Sequence, residues 1–379
     1  MYEKQLEIME DLYNKRLECR PGLYLMDTYT LVDNFMEISD FNKTISREFM
    51  DKKLREELIQ KLDKSIEIDE KDIEAFVSDL KNRYKKGKWK VYRPLYGLYL
   101  NDDSPKELGP FTFYNYKYHK EQLNFERTKP DSFEQDMLDS MFDDEVVVVK
   151  MKVVARESKK AFESADQKLR QLANILRFQN PAFARGQYGF FRRTSNYEAL
   201  SGICISESNY SHLTLKGDSQ VKIDLNDLIE TEFDKIWELS NKENLYEMED
   251  RILRAVEWIG KGLADFNDPK KCLPQLAFAL EALFSSKSEA VRGRLADFSA
   301  FLLKNSVEDR IEIFKYITDL YDNRSSIVHG RTKDMDERYL FNAVLVIRDI
   351  IKKLLTDEQL STFKSLTELD NWLKEKKFS

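Results

Sequence analysis

Histidine and cysteine are scarce in this chain of 379 residues, with three of each. His119, His212 and His329 are far apart, so a histidine-rich metal centre is not expected, and neither is any cofactor. Cys19, Cys204 and Cys272 are equally dispersed and form no Cys-x-x-Cys. That argues against structural zinc and a disulfide framework, and it fits a reducing compartment. Glycine and proline are also sparse, at 12 and 8 residues. There is no phosphate-cradling glycine loop and no Gly-x-Ser-x-Gly. No apolar run approaches 18 residues and no leader pattern opens the chain, so the expectation is a cytoplasmic protein without membrane contact. Basic excess is missing too: 61 Lys and Arg stand against 68 Asp and Glu, a net charge of −7. A protein that coats nucleic acid broadly is thereby disfavoured, while a local basic site stays open.

What is present is apolar patterning, with 42% hydrophobic residues. Over this length that predicts two domains, or one large and one small. Residues 1–85 read as charged helices: Met1 to Leu17, Phe49 to Ser65, and Ile68 to Tyr84 with Asp69 as N-cap. From Lys88 the period shifts toward strands. Leu95 to Leu100 and Phe111 to Tyr116 are expected to pair as a hairpin or meander about a turn at Asn101–Pro105. An acidic connection from Asp131 to Glu145 precedes a strand from Val146 to Ala155 and a helix from Glu157 to Phe178. Tyr188–Arg193, Gly202–Ile205 and Leu213–Ile223 read as further strands. Asp234 to Asn244 reads as a linker, which places a boundary near residue 245. The fold class expected is α+β overall: a mixed α/β domain over 1–245, then an all-α bundle over 246–379.

In the second part, apolar stripes predict helices over Met248–Phe266, Cys272–Phe284, Glu289–Leu303, Val307–His329 and Asp336–Leu355, with a short one at Leu366–Lys374. Leu276 to Phe284 is apolar all round except for Glu281, so it belongs inside the bundle. Glu281 then needs a partner: Arg324 is the natural one, with Arg251, Arg254 and His329 as alternatives. Arg324 lies on the apolar stripe of Ile313, Ile317, Leu320, Tyr321, Ile327 and Val328, so it needs a carboxylate or an opening to solvent. His329 follows five residues later, and Gly330 is a natural stop. At 100° per residue, Arg324 and His329 point about 140° apart on a straight helix. They converge only if the helix ends near His329 or if a second copy faces the first. Imidazole exchanges protons near neutrality and guanidinium holds phosphate, so the pair is suited to cutting RNA without metal. The plainer alternative is structural, with Arg324 paired to Glu281 and His329 closing a helix. Asn323 and Ser325 flank the arginine as phosphate-contacting or helix-end groups, and Arg331 would add positive charge at the mouth.

The succession Arg251-Ile-Leu-Arg-Ala-Val-Glu-Trp-Ile-Gly, Leu276-Ala-Phe-Ala-Leu-Glu-Ala-Leu-Phe, Val291-Arg-Gly-Arg-Leu-Ala and Leu320-Tyr-Asp-Asn-Arg-Ser-Ser-Ile-Val-His-Gly resembles the Apea-like HEPN family over residues 248–355. The resemblance implies a helical domain that forms a homodimer face to face, bringing two Arg-x4-His motifs into one cleft. It further implies a metal-independent endoribonuclease of a bacterial antiviral-defence or toxin system, with Arg324 and His329 catalytic. Ser325 stands where many members carry Asn, Asp or His. The N-terminal region would then sense a phage-derived trigger or hold the nuclease in check, and a neutralising partner is compatible with this. The alternative is an inactive HEPN module that dimerises or binds nucleotide, with the N-terminal domain sensing a phage component or partner protein.

Two other stretches offer chemistry. Lys88, Trp89 and Lys90, within the basic run Arg83–Arg93, can neutralise phosphates and stack bases, although a charged turn entering a strand is the simpler reading. Phe183 to Arg193 has the same duality. Asp143-Asp144-Glu145 lacks companion ligands and reads as a solvated loop.

Overall fold

The computed structural model describes residues 2–18, 28–64, 66, 68–95, 98–101, 103–124, 147–181, 202–205, 210–213, 223–229, 231–286, 291–330 and 336–378. In chain order the helices are α1 (Glu3–Glu18), α2 (Thr28–Met36), α3 (Phe41–Thr44), α4 (Arg47–Leu54), α5 (Gln60–Asp63), α6 (Glu70–Arg83), α7 (Tyr116–Asn124) and α8 (Ser158–Gln179). There follow α9 (Asp234–Asn241), α10 (Glu247–Ala264), α11 (Pro269–Phe284), α12 (Val291–Leu303), α13 (Val307–Val328), α14 (Glu337–Thr356) and α15 (Leu366–Phe378). The strands are β1 (Gly87–Leu95), β2 (Leu98–Tyr99), β3 (Lys106–Leu108), β4 (Phe111–Asn115), β5 (Val147–Ala155), β6 (Gly202–Ile205), β7 (Tyr210–Leu213) and β8 (Ile223–Asp224). The protein is thus mostly helical with a small antiparallel sheet, α+β overall. Among the described residues no helix is long and apolar enough to cross a membrane.

By compactness the chain divides into two units, each assembled from separate stretches. One comprises Met1–Arg93, Lys150–Lys168 and Glu198–Leu215, the other Pro94–Val149, Leu169–Tyr197 and Lys216–Ser379. The sequence reading instead draws a single boundary near 245.

In the first unit α1 to α6 bury Leu31, Phe35, Phe41, Ile73, Phe76 and Leu80 in one core. Phe35 meets Phe76 edge-on at 5.4 Å. A π-helical turn, Arg55–Ile59, joins α4 to α5. Asp69 caps α6 as expected, in a reciprocal box with Asp72, which satisfies backbone donors at the helix start. The strands of this unit follow the order β5-β1-β6-β7, with β6 antiparallel to both β1 and β7.

The second unit departs from the sequence reading in three places. The hairpin partner of β4 is β3 (Glu107 opposite Thr112), not the stretch Leu95–Leu100. Its turn is at Gly109, where φ is +54 and an added Cβ would lie 2.5 Å from the Trp237 carbonyl oxygen. The expected turn at Asn101–Pro105 sits one element too early. Tyr116 ends no strand but begins α7. The stretch read as a linker contains α9, because Ile236, Trp237 and Leu239 are buried along it. Tyr188–Arg193, Asp131–Glu145 and residues 214–222 of the expected Leu213–Ile223 strand lie outside the described residues. So do residues 287–290 at the expected start of α12.

The C-terminal helices match the expected spans closely because each carries an apolar stripe. Helix α11 packs against α10, α12, α13 and α14, burying Leu273, Leu276, Leu280, Leu283 and Phe284. Its last carbonyls are held by arginines of neighbouring helices. Arg251 donates to Ala282 and Ser285, at 3.0 and 3.2 Å, and Arg294 to Phe284 at 2.5 Å. Such cations satisfy orphan acceptors and complement the negative end of the helix. Cys272, on the same helix, is buried as a free thiol. Burial, and then the carboxylates of Asp265 and Asp268, push it up to about 12.

Where α10 meets α8 the backbones nearly touch. A Cβ on Gly260 would sit 2.4 Å from Asn174 Cα and 2.7 Å from its carbonyl oxygen, so only glycine fits without moving a helix. Gly260→Ala should therefore lower stability by roughly 1–3 kcal/mol, read as a fall in the denaturant midpoint at unchanged slope. An unchanged midpoint would mean that the two helices are free to part.

Candidate active site

The candidate site sits at the C-terminal end of α13. Ser306 starts the helix by accepting from the Asp309 N–H at 3.1 Å. Ile317, Thr318 and Leu320 then anchor its inner face. The helix closes where the sequence demands it. The His329 N–H donates to the Ser325 carbonyl at 3.0 Å, and the Gly330 N–H to the Ile327 carbonyl at 3.0 Å. Gly330 adopts φ +76, which glycine takes without penalty. This meets one of the two geometric conditions for Arg324 and His329 to converge, since the helix goes no further than Val328.

Arg324 meets its expected partner. Its Nη2 stands 3.8 Å from Glu281 Oε1, and the two side chains are 22% and 24% exposed. The pair is therefore neither sealed nor freely solvated, and the arginine has both the carboxylate and the opening that its position on the stripe called for. The guanidinium carbon lies 5.1 Å from the Phe278 ring centroid and 5.6 Å from that of Tyr321. Its Nε is buried without a hydrogen-bond partner. Burial, and then the Glu281 carboxylate, raise the Tyr321 phenol above its ordinary value. A guanidinium this loosely paired and partly exposed can turn its outer nitrogens toward an incoming oxyanion. The alternative partners of Glu281 are engaged elsewhere: Arg251 on the α11 carbonyls, and Arg254 on Asp250.

The His329 side chain is exposed. No hydrogen bond or ion pair joins its imidazole to Arg324 or Glu281 among the described residues. The Asn323 amide donates to Tyr339 Oη at 3.3 Å. Tyr339 in turn receives the Tyr316 hydroxyl on its carbonyl at 3.0 Å, and both phenols are raised by burial. Ser325 is half-buried and contributes its carbonyl to the helix end. Arg331 lies outside the described residues.

The other sequence candidates are placed differently. Trp89 is 3% exposed and donates its indole N–H to the Ala155 carbonyl at 3.0 Å, so it offers no face for a base. A β-strand alternates its side chains, which leaves Lys88 and Lys90 exposed on the opposite side. All three belong to the first unit, whereas Arg324, His329 and Glu281 belong to the second. His119 is a core residue: its Nδ1 lies 2.9 Å from the Asn115 carbonyl, so that nitrogen must carry the proton. Asp143, Asp144, Glu145 and the stretch Phe183–Arg193 lie outside the described residues. No group of three or more His, Cys, Asp or Glu side chains is placed to hold a metal among the described residues.

Sequence reasoning missed the aromatic part of the site. The sequence reading leaves Phe278 on an all-apolar helix and Tyr321 on the apolar stripe, yet each is half-buried at the guanidinium. The signal was available in the spacing: Phe278 precedes Glu281, and Tyr321 precedes Arg324, by three residues, which places each pair on one helix face. The chain matches no family model, no curated protein and no solved structure. The reading of this site therefore rests on its own chemistry.

Proposed function

We propose that the protein is a metal-independent endoribonuclease of a bacterial antiviral-defence or toxin system, built on an Apea-like HEPN bundle. The observation that carries the reading is the end of α13. There a partly open guanidinium and a solvent-facing imidazole are held five residues apart, at the point where the helix stops. In the proposed reaction a ribose 2′-OH attacks its own 3′-phosphate, the phosphorus–5′-oxygen bond breaks, and the products are a 2′,3′-cyclic phosphate and a 5′-OH. His329 takes or returns the proton, while Arg324 stabilises charge on the phosphate.

The proposed active form is a homodimer, in which the imidazole of one copy faces the guanidinium of the other. The outward face of the first half of α13 supports this: Val307, Ile311 and Phe314 are 63%, 48% and 37% exposed. Spacings of four and three residues hold them on one stripe. Phe314→Asp should convert a dimer to a monomer in sedimentation and lose at least tenfold in cleavage. Full cleavage by a monomeric variant would remove the composite cleft. The same stripe favours the second reading equally, an inactive dimerising module, so cleavage itself must decide. The test is to incubate total RNA with wild type and His329→Ala in EDTA and map the ends. Cyclic-phosphate ends that depend on His329 are expected; an RNA left intact by wild type would overturn the nuclease reading. Cytoplasmic location and the trigger-sensing role of the N-terminal region belong to the same proposal.

A further inference from the structure

Beyond the motif, a chain of cation–ring and ring–ring contacts runs across three helices. Lys261 Nζ stands 4.4 Å over the Trp258 ring on α10. Trp258 meets Phe278 of α11 with centroids 5.0 Å apart and planes tilted by 50°. Phe278 lies under Arg324 of α13 at 5.1 Å, and Arg324 then leans on Tyr321 at 5.6 Å. All five side chains are half-buried. Of the four tryptophans, Trp89, Trp237 and Trp372 are 3%, 3% and 7% exposed, so Trp258 alone reaches solvent. The buried face of α10 is made without this residue, by Ile252, Ala255, Val256 and Ile259.

From this geometry we propose that Trp258 is a stacking platform for a base of single-stranded RNA, whose neighbouring phosphate is the one bound at Arg324. Phe278 braces the platform and Lys261 meets the flanking phosphate. The proposal rests on the RNA reading above and extends it to substrate positioning. Consecutive spacings of 5.0 and 5.1 Å keep the Trp258 ring within about 10 Å of the guanidinium, so base and phosphate belong to adjoining nucleotides of one strand. Aromatic faces accept any base, and cations add to the attraction. A second copy of the chain is the poorer occupant. Trp258 lies among the charged Arg254, Glu257 and Lys261, away from the apolar stripe of α13.

The charges also set the salt response. Lys261 already holds Glu257 at 2.6 Å, and Arg324 faces Glu281. Few phosphates gain a free cation here, so stacking supplies most of the affinity. The logarithmic salt slope should stay shallower than about −2, since each neutralised phosphate of a single strand contributes about −0.7.

The experiment titrates full-length wild type with a ten-residue 2′-O-methyl oligouridylate, which cannot be cut, while following tryptophan emission and the anisotropy of an end-labelled oligomer. Saturable quenching is expected, together with protection of Trp258 from iodide. Trp258→Ala should weaken binding at least tenfold. Trp258→Phe, which keeps a ring and the fold, should abolish the emission change and weaken binding less. Binding with unaltered emission and equal affinity in both variants overturns the proposal, as does an emission change that follows protein concentration alone. Quenching without any RNA cleavage would refute the nuclease reading and leave the platform; cleavage without quenching would refute the platform alone.

Discussion

His329→Ala should cost RNA cleavage about two to four orders of magnitude, the usual worth of a positioned acid or base, and leave the fold intact. The imidazole is exposed, and the helix end is closed by backbone donors and by Gly330 rather than by the side chain. A variant that unfolds less than a degree away from wild type yet fails to generate cyclic-phosphate ends is the expected result. A structural histidine would give the reverse: retained cleavage with a lowered melting temperature. RNA carrying 2′-deoxyribose at the scissile position should not be cut there at all, because it lacks the nucleophile and not merely the proton transfer. Cleavage of such a substrate would require a different nucleophile.

Arg324→Ala should lose cleavage by a similar factor, through electrostatics rather than proton transfer. Removing one group that stabilises charge on a reacting oxyanion commonly costs 10²–10³. Lysine at this position should restore only part, since it keeps a point charge but not the planar fork. Some stability should fall as well. The Glu281 carboxylate is 24% exposed and loses its cation, and the Phe278 and Tyr321 rings lose their covering guanidinium. Allowing for solvent screening of a 3.8 Å pair, that loss is about 1 kcal/mol. The two effects separate in Glu281→Gln, which removes the ion pair but keeps the arginine. If that variant falls as far in cleavage as Arg324→Ala, the arginine acts mainly as an anchor and the phosphate role fails. Measured kcat and KM on a defined oligomer decide between them.

The spans of α10, α13 and α14 were legible because apolar stripes and the glycine after His329 are local signals, whereas α11 begins at Pro269, three residues before the expected Cys272. The Arg324–Glu281 pair was legible for a different reason: one charge on an otherwise apolar helix has few places to find a partner. Other features were hidden by their brevity or by the third dimension. β3 is three residues, two of them charged, so its pairing depends on the tight turn at Gly109 and not on its own composition. α9 carries Asp, Lys and Glu among its eight residues, which masked the buried Ile236, Trp237 and Leu239. The contact of Trp258 with Phe278 joins residues twenty positions apart. No periodicity reports how α10 crosses α11.

The buried thiol of Cys272 has a practical corollary. Alkylating reagents attack the thiolate, and one held near 12 supplies almost none at neutral pH. Labelling of this cysteine, followed by peptide-resolved mass spectrometry to separate it from Cys19 and Cys204, should therefore advance only when the bundle opens. Its rate in dilute iodoacetamide becomes a stopwatch for that opening. Because the folded thiol keeps its proton where the released one surrenders it, the clock should quicken as the solution passes from neutral to alkaline.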